Sequence, residues 1–269
     1  MKAYLINLDR SPERLAHFSA QAARAGLRFE RLPAVDGRAI DPAERARMLS
    51  PRFEFQPLNP GEIGIFMSQR SAWQRLVDSG EKMAAVFEDD VVLCAQAGRL
   101  LDRLAEGGWQ ADIVKLETTH RRVVLGPPCG QLDDGHRLQP LCSWHGGAAG
   151  YVITRDAAAR LLAATWPLAD PVDQVLFNPM SRISATLRLL QLVPGLCIQK
   201  NILERGHAAD GIFGTTIDRH TSRGTLLRHG LAIDLKRAWT KQRERARRQR
   251  LARQPGHQFD TVAFDAPAA

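Results

Sequence analysis

An α/β fold with a mostly parallel central sheet is predicted for this chain by three observations. The first 37 residues read as strand, helix, strand, the order from which parallel sheets are built. Short apolar runs end abruptly in carboxylates, as in VFEDD at 86–90 and IVKLE at 113–117. At 269 residues, 44% hydrophobic and 25% charged, the chain can bury one large core.

Each element has its own signal. AYLINL at 3–8 is an apolar run of strand length stopped by Asp9. Ser11 and Pro12 suit a helix cap and first turn, Leu15, Phe18 and Ala22 supply one apolar face, and Gly26 ends the helix. LRFERLPAVDG at 27–37 is a second strand running into a loop, and a polar connection follows over 38–58. Asn59-Pro60-Gly61-Glu62 starts a helix reaching about Ser79. AAVFEDDVVL at 84–93 holds an apolar strand that stops abruptly at its three acids, ADIVKLE at 111–117 is another short strand, and 118–143 reads as loops or a small hairpin. GGAAGYVIT at 146–154 enters another strand, helices follow at 155–164 and 173–180, and 186–199 is strand-rich. The domain is expected over 1–234. A tail over 235–269 is expected to be helical and basic to Arg253 and disordered from 254 onward.

Charge and cysteines narrow the surroundings. The net charge of +8 is concentrated in Lys236–Arg253, without which the chain is near neutral. Such a stretch suits an anionic partner, whether nucleic acid, anionic lipid or phosphorylated glycan. Cys94, Cys129, Cys142 and Cys197 form no C-x-x-C pair, which excludes zinc-knuckle spacing and points to reduced, mostly buried thiols. No signal-peptide pattern and no run of about 20 apolar residues is present. The expected location is cytoplasmic, with any membrane contact peripheral.

Four constellations carry chemistry. In Glu88-Asp89-Asp90, three adjacent acids at a strand end are costly unless something positive neutralises them. On an extended backbone Glu88 and Asp90 share a face, and their hard oxygens suit Mg²⁺ or Mn²⁺ bridging to a diphosphate. A solvated acidic turn is the alternative. Arg10 and Arg14 flank a helix start where a phosphate could bind, although Ser11 and Glu13 also fit plain capping. In SWHGGAAGYVITR at 143–155, small residues permit close approach of a substrate or of backbone, with His145 at the mouth of the strand. Asp173 in DPVDQVLF opens a helix, as a cap or as a group facing the crevice.

In this order the segments INLDRSPER, FERLPAVDG, NPGEIGIFMSQRSAW, AVFEDDVVL, DIVKLET, HGGAAGYVITR and DPVDQVLF resemble glycosyltransferase family 25 of bacterial lipooligosaccharide assembly, closest to its β-1,4-galactosyltransferases. The resemblance covers about residues 1–220. Two departures stand out: the family usually has Ser-His where this chain has Ser68-Gln69, and a hydroxyl residue where it has Gly147.

The resemblance implies a GT-A type nucleotide-sugar-binding fold, UDP-galactose as donor, and inversion at the anomeric carbon. It implies Mn²⁺ or Mg²⁺ held by Asp90 and Glu88, with Asp89 assisting and Gln199 or His207 completing the shell. Asp173 is the expected base, with Glu117 second. Asn7, Arg10, Arg14, Asp36, Ser68, Glu88, Asp89, His145 and Gly146 would bind the donor. The acceptor would be a lipooligosaccharide or other glycan, reached from the anionic inner-membrane surface through the basic tail. Another UDP-sugar donor remains open. A nucleic-acid- or partner-binding protein without catalysis would need aromatics interleaved with the basic residues, and the tail offers only Trp239.

Overall fold

The computed structural model describes residues 1–132, 135–205, 239–240 and 242–266. The chain opens with β1 (Lys2–Asn7), α1 (Pro12–Arg24), β2 (Glu30–Pro33), α2 (Pro42–Met48) and α3 (Pro60–Ser79). Next come β3 (Met83–Glu88), β4 (Val91–Leu93), α4 (Ala97–Ala105), β5 (Ile113–Lys115) and β6 (Glu117–Thr118). The hairpin region holds β7 (Arg122–Leu125), β8 (Gly130–Gln131) and β9 (Arg137–Pro140). There follow β10 (Gly150–Thr154), α5 (Arg155–Ala164), α6 (Val172–Phe177), β11 (Leu189–Val193), β12 (Cys197–Gln199) and α7 (Lys200–Arg205). The chain closes with a helix over 242–252, here α8, and β13 (Gln258–Thr261).

Eight strands form the main sheet in the order β2-β1-β3-β10-β5-β11-β9-β8. β2, β1, β3, β5, β11 and β8 run one way, and β10 and β9 run against them. The sheet is therefore mixed, with most strands sharing one direction. Alternate residues feed opposite faces. Tyr4, Ile6, Ala84 and Val86 join one core with Phe66, Trp73, Leu76, Leu161 and Phe177. Ala3, Leu5, Ala85 and Phe87 join the other with Phe18, Ala22, Leu100 and Leu104. Helices α3, α5 and α6 thus cover one face and α1 and α4 the other, which is why these strands read as nearly continuous apolar runs.

Ser11 stands at the N-cap of α1 with Pro12 following, but its side chain makes no capping hydrogen bond. Asn59 caps α3 through a full capping box with Glu62. Asp41 caps α2 by accepting from the N–H groups of Ala43 and Glu44, so the polar connection expected over 38–58 contains a helix. The strand expected to stop at the three acids does so, with β3 ending at Glu88; the chain bends at Asp89-Asp90, and Val91–Leu93 forms a further strand, β4, in a small sheet of order β4-β12-β6. The helix expected over 173–180 is shorter, and α4 had no forecast.

The disorder expected from residue 254 is not found over 254–266. β13 pairs antiparallel with β7, Val262 is fully buried, and Thr118 Oγ1 donates to the Val262 carbonyl at 2.6 Å. Farther on, Gly195 N–H donates to the Ala263 carbonyl at 2.7 Å. All four cysteines are free, with Cys94 and Cys197 buried, Cys142 half-buried and Cys129 exposed. Among the described residues no helix is long and apolar enough to cross a membrane.

One close approach sets the rim of the site. The loop after β2 lies directly on α3, and a Cβ on Gly64 would come within 2.5 Å of the Gly37 nitrogen and 2.6 Å of the Val35 carbonyl. Ser68, one turn on, accepts from Val35 N–H at 2.8 Å and donates to the Gly64 carbonyl at 2.7 Å. Gly64→Ala must therefore push backbone from backbone. It is expected to lose about 1–3 kcal/mol of stability, read as a lower denaturant midpoint with unchanged slope.

Candidate active site

Three strands that run the same way end at one edge of the sheet: β1 at Asn7, β3 at Glu88 and β5 at Lys115, with Glu117 two residues on. This is the edge at which open α/β sheets bind ligands. Residues 145–149 reach it as they lead into β10, and Asp173 in the first turn of α6 faces them.

The three adjacent acids do not act alike. Asp89 turns toward the N-terminal segment and accepts from Asn7 Nδ2 at 2.7 Å and from Arg14 Nη1 at 3.2 Å. It is neutralised, and it ties the start of α1 to the bend after β3. Asn7 is itself held by Arg31, whose Nε donates to Asn7 Oδ1 at 2.9 Å. Asp90 accepts from the side-chain amide of Gln199, whose Nε2 lies 3.2 and 3.4 Å from its two oxygens. Glu88 likewise accepts from the amide of Gln69 at 3.3 Å.

Electrostatics separates these groups further. Burial pushes the Glu88 carboxyl well above its ordinary range, and repulsion from Asp90, Glu117 and Asp89 adds to it. Asp90 is also raised, first by burial, with the Gln199 hydrogen bond opposing and Asp89 adding. Among the described residues, no three His, Cys, Asp or Glu side chains are already gathered as a metal cage. What the edge offers is a pair of under-neutralised carboxylates, each oriented by an amide.

Gln69 cannot flip freely. Trp73 Nε1 donates to the Tyr151 hydroxyl at 2.7 Å, that hydroxyl donates to Gln69 Oε1 at 2.6 Å, and the Gln69 amide nitrogen is left to face Glu88. This buried chain assigns the amide orientation and aims a donor at the carboxylate.

Across the crevice, Lys115 is completely buried. Its ammonium meets Glu117 Oε2 at 3.0 Å, the Gly146 and Gly147 carbonyls at 3.2 and 2.5 Å, and the Phe177 ring at 4.1 Å from its centre. Glu117 Oε2 also accepts from Ala149 N–H at 3.1 Å, while Oε1 is buried with no hydrogen-bond partner. Burial raises the Glu117 carboxyl even though Lys115 pulls the other way. Gly147 lies at φ +84°, and a Cβ there would sit 2.5 Å from Glu117 Oε1. Glycine at this departure from the family pattern is what lets the carboxylate and the turn coexist.

Asp173 is half-buried in the first turn of α6, whose N-cap is Pro171 and not the expected Asp173; its Oδ1 accepts from the adjacent Gln174 N–H at 2.9 Å and its other oxygen from Gly147 N–H at 3.3 Å. Burial raises its carboxyl, and these backbone donors and Lys115 offset part of the rise. Arg121, stacked 5.5 Å from the Trp144 ring centre, attracts it.

Several expected donor residues take supporting places. His145 is fully buried; its Nε2 accepts from Thr119 N–H at 3.3 Å and its Nδ1 meets Gln191 Oε1 at 2.8 Å. Burial and the nearby Lys115 hold it uncharged, well below the ordinary histidine range. Both nitrogens are engaged, so the ring props the Gly146 turn rather than reaching a donor. Ser68 is buried between α3 and Val35. Arg10 and Asp36 form an ion pair on the rim, and Gly146 lies between Trp144 and Asp173. His207 lies outside the described residues. Sequence reasoning noted Gln69 only as a departure from the family pattern and missed Tyr151, Arg31 and Lys115. Only Lys115 had a usable signal, its two-residue spacing from Glu117 on one strand face.

The sequence profile described as glycosyltransferase family 25 (LPS biosynthesis protein) matches residues 1–176. The chain is 32% identical over 258 residues to the lacto-N-neotetraose biosynthesis glycosyltransferase LgtB of Neisseria gonorrhoeae, covering 89% of this chain and 85% of that protein. It is 30% identical over 277 residues to LgtE of the same organism, covering 94% of this chain and 95% of that protein. The lipooligosaccharide biosynthesis protein lic2B of Haemophilus influenzae is 27% identical over 213 residues, covering 74% of this chain and 76% of that protein.

Burial of Glu88 among neighbouring acids has a measurable cost. Its folded-state carboxyl is raised, so its contribution to stability is intact below the ordinary glutamate range and is lost as pH climbs through the raised value. Glu88→Gln is therefore expected to raise Tm at neutral pH by roughly 2–4 °C. Differential scanning calorimetry across pH should show that advantage shrinking toward pH ~4.

Proposed function

The chain belongs to glycosyltransferase family 25 and is a glycosyltransferase, and on that premise we propose that it transfers a hexose, galactose from UDP-galactose, onto a lipooligosaccharide acceptor with inversion at the anomeric carbon. The observation that carries this reading is the cluster of Glu88, Asp90, Glu117 and Asp173 at one sheet edge, all raised by burial. Such an edge suits a GT-A type nucleotide-sugar site. A carboxylate left neutral-prone at a cleft is a candidate for chemistry.

The residues fit a hard divalent cation, Mn²⁺ or Mg²⁺, in charge and in donor type. Asp89 is already balanced by Asn7 and Arg14, which leaves Glu88 and Asp90 to meet the ion and the Gln199 carbonyl oxygen as a further donor. Mg²⁺ commonly takes one or two carboxylates and completes its shell with phosphate oxygens and water, so a preformed protein cage is not required. When bound, such an ion would offset charge on the departing diphosphate.

The chain's own groups divide the remaining work. Asn7, Arg10, Arg14 and Asp36 surround the ends of β1 and β2 and would hold the nucleotide. Ser68 and His145 would act behind them by fixing backbone. Asp173 is the base: it would accept the proton of the acceptor hydroxyl as that oxygen bonds to the anomeric carbon and the carbon–diphosphate bond breaks. Glu117 is fully buried and bound to Lys115, so it is better placed to hold the Gly146–Ala149 turn than to meet a substrate. The basic tail would keep the enzyme on the anionic cytoplasmic leaflet of the inner membrane, at ~1 kcal/mol per basic residue near the surface.

Turnover of a panel of UDP-sugars, with and without Mn²⁺, tests the reading. Wild type should consume UDP-galactose fastest and only with the cation. Asp90→Ala should lose the cation response. Asp173→Asn should lose roughly 10²–10⁴-fold in kcat with a smaller change in KM. Preference for another UDP-sugar would replace the donor assignment. Full activity in Asp173→Asn would remove the base.

A further inference from the structure

The C-terminal segment is not a loose appendage, and its helix presents three separate faces. At ~100° per residue, Glu244, Arg247 and Leu251 share one face and meet the body: Arg247 Nη1 donates to the Cys142 carbonyl at 2.5 Å, and Glu244 is drawn to Arg121. Arg243 and Arg250 lie on a second face, both exposed, with Arg243 over the Trp239 ring. Arg245, Arg248 and Ala252 occupy a third.

That third face closes against β13. Arg245, Arg248, Gln249, Ala252, Arg253 and Phe259 line a surface pocket of about 380 Å³. Two guanidinium groups stack on the Phe259 ring that floors it, Arg122 at 4.2 Å and Arg248 at 5.1 Å from its centre. Arg122 is fixed further by a 2.6 Å hydrogen bond to the Phe259 carbonyl. Stacking holds guanidinium planes in place while leaving N–H edges to bind in their own plane. Positive charge is crowded here with little to balance it. Over 239–253 the only acid is Glu244, and it is shared among Arg121, Arg247 and Arg248.

We propose that this arginine-lined pocket between α8 and β13 binds a phosphate monoester or diester. Guanidinium forks recognise phosphate oxygens in pairs, and the pocket has the size of a small-ligand site. Its place is informative. The helix that carries it sits through Glu244 and Arg121 beside Trp144 and Asp173, on the side where the acceptor hydroxyl must approach the proposed base. A phosphate borne by the acceptor and a phospholipid headgroup share this chemistry. The inference rests on reading the tail as an anion-facing element and goes beyond a diffuse tether, since it assigns binding to one face of the helix.

The test compares the full chain with two variants that each lose two charges from the same helix, Arg245→Gln/Arg248→Gln on the pocket face and Arg243→Gln/Arg250→Gln on the far face. One arm follows thermal stabilisation by inorganic phosphate against chloride at equal ionic strength with EDTA present. The other follows co-sedimentation with phosphatidylcholine vesicles with and without phosphatidylglycerol. In the phosphate arm the pocket-face variant should lose roughly tenfold in apparent affinity and the far-face variant should stay within about twofold, and on vesicles the pocket-face variant should lose several-fold more than the far-face one. A loss in the phosphate arm assigns a free or acceptor-borne phosphate; a loss confined to vesicles assigns the headgroup. Equal losses in both variants would overturn the pocket and leave only the diffuse tether. No loss in either variant would overturn both. Neither arm contains a sugar nucleotide, so the result does not depend on the transferase reading.

Discussion

Like charges held together at the end of a sheet are the constraint around which the rest of this molecule is arranged. Burial makes the crevice unfavourable for anions, and there Asp90 and Glu117 raise the proton affinity of Glu88, Asp90 that of Glu117, and Asp89 that of Asp90. A fold tolerates such crowding when each group is individually oriented and when a ligand restores the balance. Here every acid has its own holder: Asn7 and Arg14 for Asp89, Gln69 for Glu88, Gln199 for Asp90 and Lys115 for Glu117. Glu88 and Asp90, held by side-chain amides and not by ion pairs among the described residues, stay raised by burial although Arg14 favours the charged form of Asp90, and they are the two read as metal ligands.

Those holders come from distant parts of the chain, so the site is a product of the whole sheet. The Trp73–Tyr151–Gln69 chain couples α3 to β10 and fixes an amide that would otherwise be free to turn. Gln191 on β11 orients His145, which accepts from Thr119 N–H beyond β6. Glycines are used where backbone must meet side chains closely. A Cβ on Gly150 would fall 2.2 Å from Cys197 Sγ, as one on Gly147 would strike Glu117. The returning C-terminal strand then pairs with β7, and the arginine helix sits against Cys142 and, through Glu244 and Arg121, beside Asp173.

Much of this could be read from residues alone, and the failures have physical causes. β1, α1 and α3 were legible because caps and apolar periodicity are local signals. The stop of β3 at its acids was legible as well; that VVL beyond them forms a strand of another sheet was not, since nothing local says where β4 pairs. The strand at Gln258–Thr261 is largely exposed and polar; it exists through pairing with β7, a contact more than 130 residues away in sequence. In the site, the acidic cluster and Asp173 were visible as residue types in pattern. Whether a histidine or a serine faces substrate or props a loop depends on partners far along the chain. His145 and Ser68 turned out to be fully engaged with protein. Gln69 was noticed only as a departure from the family's histidine, and its orientation follows from a tyrosine that lies 82 residues away.

The most direct test of the central claim is the affinity of the purified chain for UDP-galactose, measured by calorimetry with Mn²⁺ and again with the cation chelated. Under-neutralised Glu88 and Asp90 predict binding tighter by roughly tenfold or more when the cation is present, with Glu88→Ala/Asp90→Ala reduced to the chelated value. Equal affinity in both conditions would contradict the account, because the crowded carboxylates would then have no part in holding the diphosphate.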